Sequence, residues 1–276
     1  MRSARSHSSD ARSSRSSTAQ ATLRSRRGRR SSTASSTNSS TADPPERPRY
    51  RSPEYRALVG GPLDPLVHPD PFSPPRLYRW ARALARWIVT HLFRVTVTGL
   101  ENIPNPPFII AANHQAWFDP AFIIPFFAER PLIYTMARRQ TVFNRAWKRR
   151  LLPLIGVFPI APDRGELDEQ GLRTVYQVLE RGGVMLIFPE GRYSRGRALR
   201  PLKSGIGYFA LNAGVPISPV AVRGTGSLYP FKRIEVSIGP PIMPDLPAWW
   251  ELSRRVSTVV DRVRSATSTA LDRRRT

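Results

Sequence analysis

Apolar residues recur along this chain with two different periods, and turn residues separate the segments that carry them. The first helical pattern covers 76–93, RLYRWARALARWIVTHLF, where Leu77, Trp80, Ala81, Leu84, Trp87, Ile88 and Leu92 fall on one face. Arg76, Arg79, Arg82 and Arg86 cluster away from that face. From residue 94 onward strand-like runs alternate with helical ones. Val95 and Val97 alternate in RVTVTG, which predicts an edge strand. PFIIAAN (107–113) and VMLIFP (184–189) are continuous apolar runs, as expected of buried parallel strands. LIYTMA (132–137), VFPIA (157–161), PISPVAV (216–222) and IEVSI (234–238) supply further strands. Leu172, Val175, Tyr176 and Leu179 form a helical stripe that Gly182 and Gly183 end. GIGYFALNAG predicts a small helix stopped at Gly214. Leu252, Val256, Val259, Val260 and Val263 mark a terminal helix within 249–272. The alternation predicts an α/β fold: a mostly parallel central sheet flanked by helices.

Composition sets the boundaries of this unit. Residues 1–56 are rich in Ser, Arg and Thr and nearly free of large apolar side chains. Such a segment cannot bury enough surface to offset its ordering entropy, so it reads as a disordered tail. Residues 57–75 are Pro-rich and read as a linker. The expected organisation is a disordered tail and linker over 1–75, an amphipathic helix over 76–93, the main domain over 94–245, and a C-terminal helix with a basic tail over 246–276.

Charge narrows the class of partner. The formal net charge is +23, and residues 1–56 contribute 13 Arg and no Lys against 4 acidic residues. A basic surface suits nucleic acid, anionic lipid or phosphorylated substrates. The tail has no aromatic interleaving, so a nucleic-acid partner is not expected. The 76–93 helix sets Trp and Leu opposite Arg, the pattern of a helix lying on a membrane surface. The rival account is an ordinary amphipathic helix packed on its own domain. Residues 138–152 mix cations with Phe143, Trp147 and Leu151 and read either as a second contact with anionic lipid or as a solvated basic helix. No run of 18 apolar residues occurs, so no transmembrane helix is expected, and a peripheral position on the cytoplasmic face of a membrane is. The chain has no cysteine, which excludes disulfides, thiolate catalysis and Cys-bound zinc.

Two segments carry candidate chemistry. NHQAWFDP (113–120) follows directly on a buried strand, and α/β sheets bind ligands at the C-terminal ends of their strands. Asp119 before Pro120 can be read as a helix cap with Pro at the first helical position. It can also be read as the partner of His114. A carboxylate that accepts from one ring nitrogen fixes the tautomer and leaves the other as a base. FPEGRYSRGR (188–197) also follows a buried strand, which puts Glu190 at the same sheet edge as His114. Arg192, Arg195 and Arg197 come next, and Arg binds phosphate in a bidentate manner.

Together, NHxxxxD, then FPEG followed by Arg and Ser, then VPISPV (215–220), resemble the glycerophosphate acyltransferase family, which includes the 1-acylglycerol-3-phosphate acyltransferases. The resemblance covers about residues 80–245. It implies that His114 takes a proton from an acceptor hydroxyl, with Asp119 orienting it, and that the oxygen attacks the thioester of acyl-CoA or an acyl carrier protein. It implies a lysophospholipid acceptor, most plainly 1-acylglycerol-3-phosphate, giving phosphatidic acid. It also implies acceptor binding by Glu190, Gly191 and the nearby Arg residues, and substrate contacts from Val215 and Pro216. No metal or bound cofactor is called for. Backbone N–H groups or Lys203 are candidates for oxyanion stabilisation. Two positions depart from the family pattern. Ala161-Pro162-Asp163 separates Ile160 from Arg164, which lengthens the usual gap to the Arg of the second motif. In the third motif, Arg192 and Tyr193 stand where Thr and Arg are usual, so Arg192 and Arg195 are both candidates for the phosphate ligand. These departures open a second reading in which the acceptor is another lyso-lipid or a glycolipid.

Overall fold

The continuous apolar runs become the centre of a seven-stranded sheet. The computed structural model describes residues 53–161, 168–194, 198–244 and 252–272. In chain order the elements are α1 (Pro53–Gly60), α2 (Arg76–Leu92), β1 (Arg94–Thr98), β2 (Phe108–Ala112), α3 (Asp119–Ile123), β3 (Ile133–Arg138), α4 (Arg139–Val142), α5 (Ala146–Leu151), β4 (Val157–Ile160), α6 (Glu169–Glu180), β5 (Val184–Ile187), α7 (Gly205–Ala213), β6 (Ile217–Arg223), β7 (Arg233–Ile238) and α8 (Leu252–Asp272).

The strand order is β1-β7-β6-β2-β5-β3-β4. The five strands from β6 to β4 are parallel to one another. β7 pairs antiparallel with β6 and parallel with β1. β1 and β7 therefore begin at the edge where β2, β5 and β6 end. β2 and β5 are buried along their whole length because helices cover both faces. One face packs on α6, α7 and α8 through Val175, Leu179, Phe209, Leu211 and Val263. The other buries Phe108, Ile110, Ile123 and Phe127. β1 alternates exposed and half-buried residues, as its edge position requires.

Residues 53–75 correct the expectation of a free linker. Tyr55 and Val67 are buried in the main core. Tyr55 Oη donates to Glu180 Oε2 at 2.7 Å. The N–H of Asp64 donates to Gln177 Oε1 at 2.8 Å, and Thr174 Oγ1 donates to Asp64 Oδ2 at 3.0 Å. The N–H of His68 donates to Tyr134 Oη at 2.8 Å, and that of Leu132 to Pro71 O at 2.7 Å. Proline-rich chain has few backbone donors to satisfy; side chains of α6 and β3 take those of Asp64 and His68, and Asp64 and Asp70 take those of Leu66 and Phe72. The 1–52 part of the expected tail, and the 245–246 boundary, lie outside the described residues.

α2 keeps its predicted span but turns the opposite way from a packed amphipathic helix. Tyr78 and Val89 are its buried residues. Trp80 is 74% exposed, Leu84 57% and Trp87 56%, with Leu77, Ile88 and Leu92 exposed beside them. The Arg side faces the protein instead. Arg82 donates to the carbonyls of Pro125 and Phe127, and Arg86 donates to that of Pro125 at 2.9 Å. Residues 138–152 also differ from one basic helix. Arg138 ends β3, α4 and α5 are separate short helices, and Phe143 between them is buried while Trp147 and Leu151 are exposed. Among the described residues, no helix is long and apolar enough to cross a membrane.

Candidate active site

His114 lies two residues beyond the end of β2, in the loop that leads to α3. Its Nδ1 donates to Asp119 Oδ2 at 2.8 Å. Asp119 is fully buried, while the His114 side chain keeps 14% of its surface. The imidazole stacks on Phe188, with ring centroids 3.8 Å apart and planes 17° from parallel. Tyr193 meets it edge-on at 4.4 Å and 65°. These contacts fix the ring plane, and with Nδ1 engaged, Nε2 is the nitrogen left to act as a base.

Asp119 does not cap its helix in the expected way. The capping position of α3 is Phe118, without a side-chain hydrogen bond. Asp119 Oδ2 reaches back and accepts the N–H groups of Gln115 at 2.7 Å and Ala116 at 2.9 Å. The five-residue spacing thus closes a small ring in which one carboxylate holds both the loop backbone and the imidazole.

Glu190 holds the loop from the other side. Its Oε1 accepts the N–H of His114 at 2.7 Å, and its Oε2 accepts that of Arg200 at 2.9 Å. The residue is 5% exposed. Burial pushes its carboxyl above the ordinary glutamate value of 4.5, and the two N–H donors pull the other way. Each oxygen thus accepts a backbone N–H, so the carboxylate braces the loop around His114. Ser194 completes the clamp. Its N–H and its Oγ both donate to His114 O, at 2.6 and 3.0 Å. In the sequence Ser194 is only a residue that follows the FPEG motif. The only signal for a role was its place four residues after Glu190.

Gly191 follows in a left-handed conformation with φ of 66°, and a Cβ there would lie 2.9 Å from Lys203 Cε. The left-handed φ is what favours glycine here, since the Lys203 end could move aside. Arg192 is exposed beside it. Tyr193 is 43% exposed, and its hydroxyl is pushed above the usual phenol value by burial and by Asp119, with Arg138 opposing. Arg138, at the C-terminal end of β3, is therefore a further cation near the site. Arg164, Arg195 and Arg197 lie outside the described residues.

Val215 and Pro216 are not at this site. β2 and β6 are parallel, with Ile109 opposite Ile217. Pro216 thus aligns with Phe108, six residues before His114 and about 20 Å away along the strand direction. Val215 is buried in the core, and Pro216 O accepts the N–H of Ile109. They start β6 at the opposite edge, which a linear motif does not reveal.

A buried carboxylate–imidazole pair at the C-terminal edge of a parallel sheet, beside a turn flanked by cations, is an arrangement suited to general-base chemistry near an anionic group. Comparisons with known proteins find similar chains. The family model described as Acyltransferase matches residues 94–223. A 1-acyl-sn-glycerol-3-phosphate acyltransferase of Pseudomonas aeruginosa is 33% identical over 178 residues, covering 58% of this chain and 64% of that protein. A lyso-ornithine lipid O-acyltransferase of the same organism is 33% identical over 149 residues, covering 53% of each. A chloroplastic 1-acyl-sn-glycerol-3-phosphate acyltransferase of Brassica napus is 25% identical over 140 residues, covering 50% of this chain and 40% of that protein. The crystal structure of the 1-acyl-sn-glycerophosphate acyltransferase PlsC from Thermotoga maritima aligns with a TM-score of 0.48 at 26% identity, covering 67% of this chain and 76% of that one. Over residues 94–223 the chain is thus similar to this acyltransferase family. It spans 40% to 64% of the length of the three curated relatives named here.

Proposed function

We propose that this protein transfers a fatty acyl group from a thioester, acyl-CoA or acyl carrier protein, to the free hydroxyl of 1-acylglycerol-3-phosphate. The observation that carries the reading is the 2.8 Å contact between His114 Nδ1 and the buried Asp119, which leaves Nε2 to act. Nε2 takes the proton of the acceptor hydroxyl as its oxygen attacks the thioester carbonyl. The tetrahedral oxyanion collapses, the carbon–sulfur bond breaks, and the leaving thiolate takes the proton back from Nε2. The products are phosphatidic acid and a free thiol, with no metal or bound cofactor. The N–H groups of His114, Gln115 and Ala116 already serve Glu190 and Asp119, so the oxyanion charge is assigned to another donor, with Lys203, which crosses the Gly191 turn, as the candidate. Arg192 and Arg138 meet the acceptor phosphate. The reaction takes place at a bilayer surface, with α2 lying in the headgroup layer.

A second acceptor reading rests on Tyr193. Its ring stands edge-on to His114 where the family pattern has Arg, which removes one cation from the phosphate side. An acceptor without a phosphomonoester, such as the lyso-amino lipid named for one relative, then competes.

A matrix of thioester donors against lyso-lipid acceptors, read by mass spectrometry, tests both. Esterified 1-acylglycerol-3-phosphate is expected from wild-type protein, and a loss of about 1,000-fold or more from His114→Ala at unchanged circular dichroism. Full activity in His114→Ala excludes the assigned base, and ester on a phosphate-free lyso-lipid alone favours the second acceptor.

A further inference from the structure

The loop between β6 and β7 carries chemistry that acyl transfer does not use. Leu228, Tyr229 and Phe231 lie within four residues, at 37%, 60% and 62% exposure. Phe231 adopts φ of 63°, a left-handed conformation that costs a non-glycine residue about 1–2 kcal/mol. The strain holds an aromatic ring out in solvent. The loop is internally braced, since Lys232 Nζ donates to Ser227 O and Oγ and lies 5.2 Å from the Tyr229 ring centroid.

Two sets of hydrogen bonds fix where this loop sits. The N–H of Phe231 donates to Leu92 O at 2.7 Å, and that of Arg94 donates to Lys232 O at 2.9 Å. The aromatic tip therefore meets the end of α2, where the exposed stripe of Trp80, Leu84, Trp87, Ile88 and Leu92 runs out. On its other side, Thr225 Oγ1 and the N–H of Gly226 donate to Gln115 Oε1, at 3.1 and 3.2 Å. Gln115 is the residue after His114. One short loop thus joins the apolar end of α2 to the loop that carries the base.

Its charge chooses the occupant. Arg94, Lys232 and Arg233 flank the tip, and Glu235, the nearest acidic residue along the sequence, lies 3.9 Å from Arg223. Exposed aromatics ringed by cations suit the boundary between anionic headgroups and acyl chains, and poorly suit an apolar protein groove.

We infer that Leu228, Tyr229 and Phe231 form a second membrane-inserting wedge, which enters an anionic bilayer beside the end of α2 and seats His114 at the lipid surface. This rests on the proposal that α2 lies on a bilayer, and it adds an element that fixes the orientation of the sheet edge. The stripe of α2 sets which side of the helix meets the lipid, and a second contact beside its end limits tilt about that line.

The absence of cysteine makes a direct test simple, because a single introduced thiol can be labelled cleanly. Full-length Phe231→Cys, Leu84→Cys and Glu101→Cys are each labelled with a polarity-sensitive fluorophore. Position 84 reports α2, and position 101 reports the opposite sheet edge. Vesicles of equal phosphatidylglycerol and phosphatidylcholine are then added. The wedge predicts a blue shift and brighter emission at 231 and 84 and none at 101. A response at 84 with 231 silent overturns the wedge and leaves the α2 reading standing. Silence at all three overturns both, and an equal response at 101 overturns insertion by a defined edge. In the unlabelled protein, Leu228→Ser, Tyr229→Ser and Phe231→Ser together should weaken vesicle binding about tenfold or more in a sedimentation assay, with unchanged circular dichroism. Unchanged affinity overturns the wedge.

Discussion

His114 is held at three points: by Asp119 through its ring, by Glu190 through its N–H, and by Ser194 through its carbonyl. This arrangement separates the roles of the two carboxylates. Asp119→Asn should reduce kcat by removing the negative charge that supports the imidazolium formed when Nε2 takes its proton. Glu190→Gln presents one donor to two backbone N–H groups, so one of the bonds it made must break. At about 1.4 kcal/mol lost in positioning, kcat should fall about tenfold while the acceptor KM stays within about twofold. A raised KM at unchanged kcat would instead mark Glu190 as an acceptor ligand. The same variant has a pH signature. The Glu190 carboxyl is raised in the folded chain, so this group favours folding most below its ordinary value of 4.5, and that contribution is lost as pH rises through the folded pKa. Denaturant titrations should show the slope in wild-type protein and its loss in Glu190→Gln. The pairing of His114 with Asp119 was legible because both lie in one loop. The roles of Glu190 and Ser194 were not, because they are set by backbone partners 76 and 80 residues away.

Elements with a strong period were legible, and those defined by a partner were not. β2 and β5 read as buried strands because both of their faces are covered, and β1 read as an edge strand because one of its faces is not. α2 had the right span and the right stripe, but periodicity cannot tell which face points inward. The outcome turns on Arg82 and Arg86 finding free carbonyls at Pro125 and Phe127, with Val89 packing on Phe122 and Ile234. The exposed stripe makes the helix a surface for binding without making it a prop for the core. Trp80→Ser with Trp87→Ser should therefore weaken vesicle binding at least tenfold, since each indole buries an apolar area worth ~2 kcal/mol. The thermal midpoint should hardly change. A large fall in that midpoint would mean that the stripe is packed after all.

At the scale of the molecule, the folded unit reaches back well before the first predicted helix. Tyr55, Asp64, Val67 and His68 tie residues 53–75 to α6 and β3. A chain begun at Pro53 should keep its cooperative unfolding. One begun at Arg76 loses Tyr55 and Val67 from the core, at ~2 kcal/mol each, and leaves Gln177 and Thr174 without their partners, so its midpoint should drop by several degrees or more. Equal midpoints would return this segment to the status of a linker. The family's residues at the C-terminal edge were recognisable in the sequence, while the far-edge position of Val215 and Pro216 appeared only with the strand register.

That register also governs how the protein can be made. β2 lies between β5 and β6, which leave the ribosome about 75 and 110 residues after it. α1 waits as long for α6. The middle of the sheet cannot close strand by strand as the chain emerges; it must assemble late, around a β2 that has stood open since early in synthesis. α2 needs no such wait, because its apolar stripe has no partner within the fold. A nascent chain could meet a bilayer through α2 before the sheet exists, and so complete its folding at the surface where it is proposed to work.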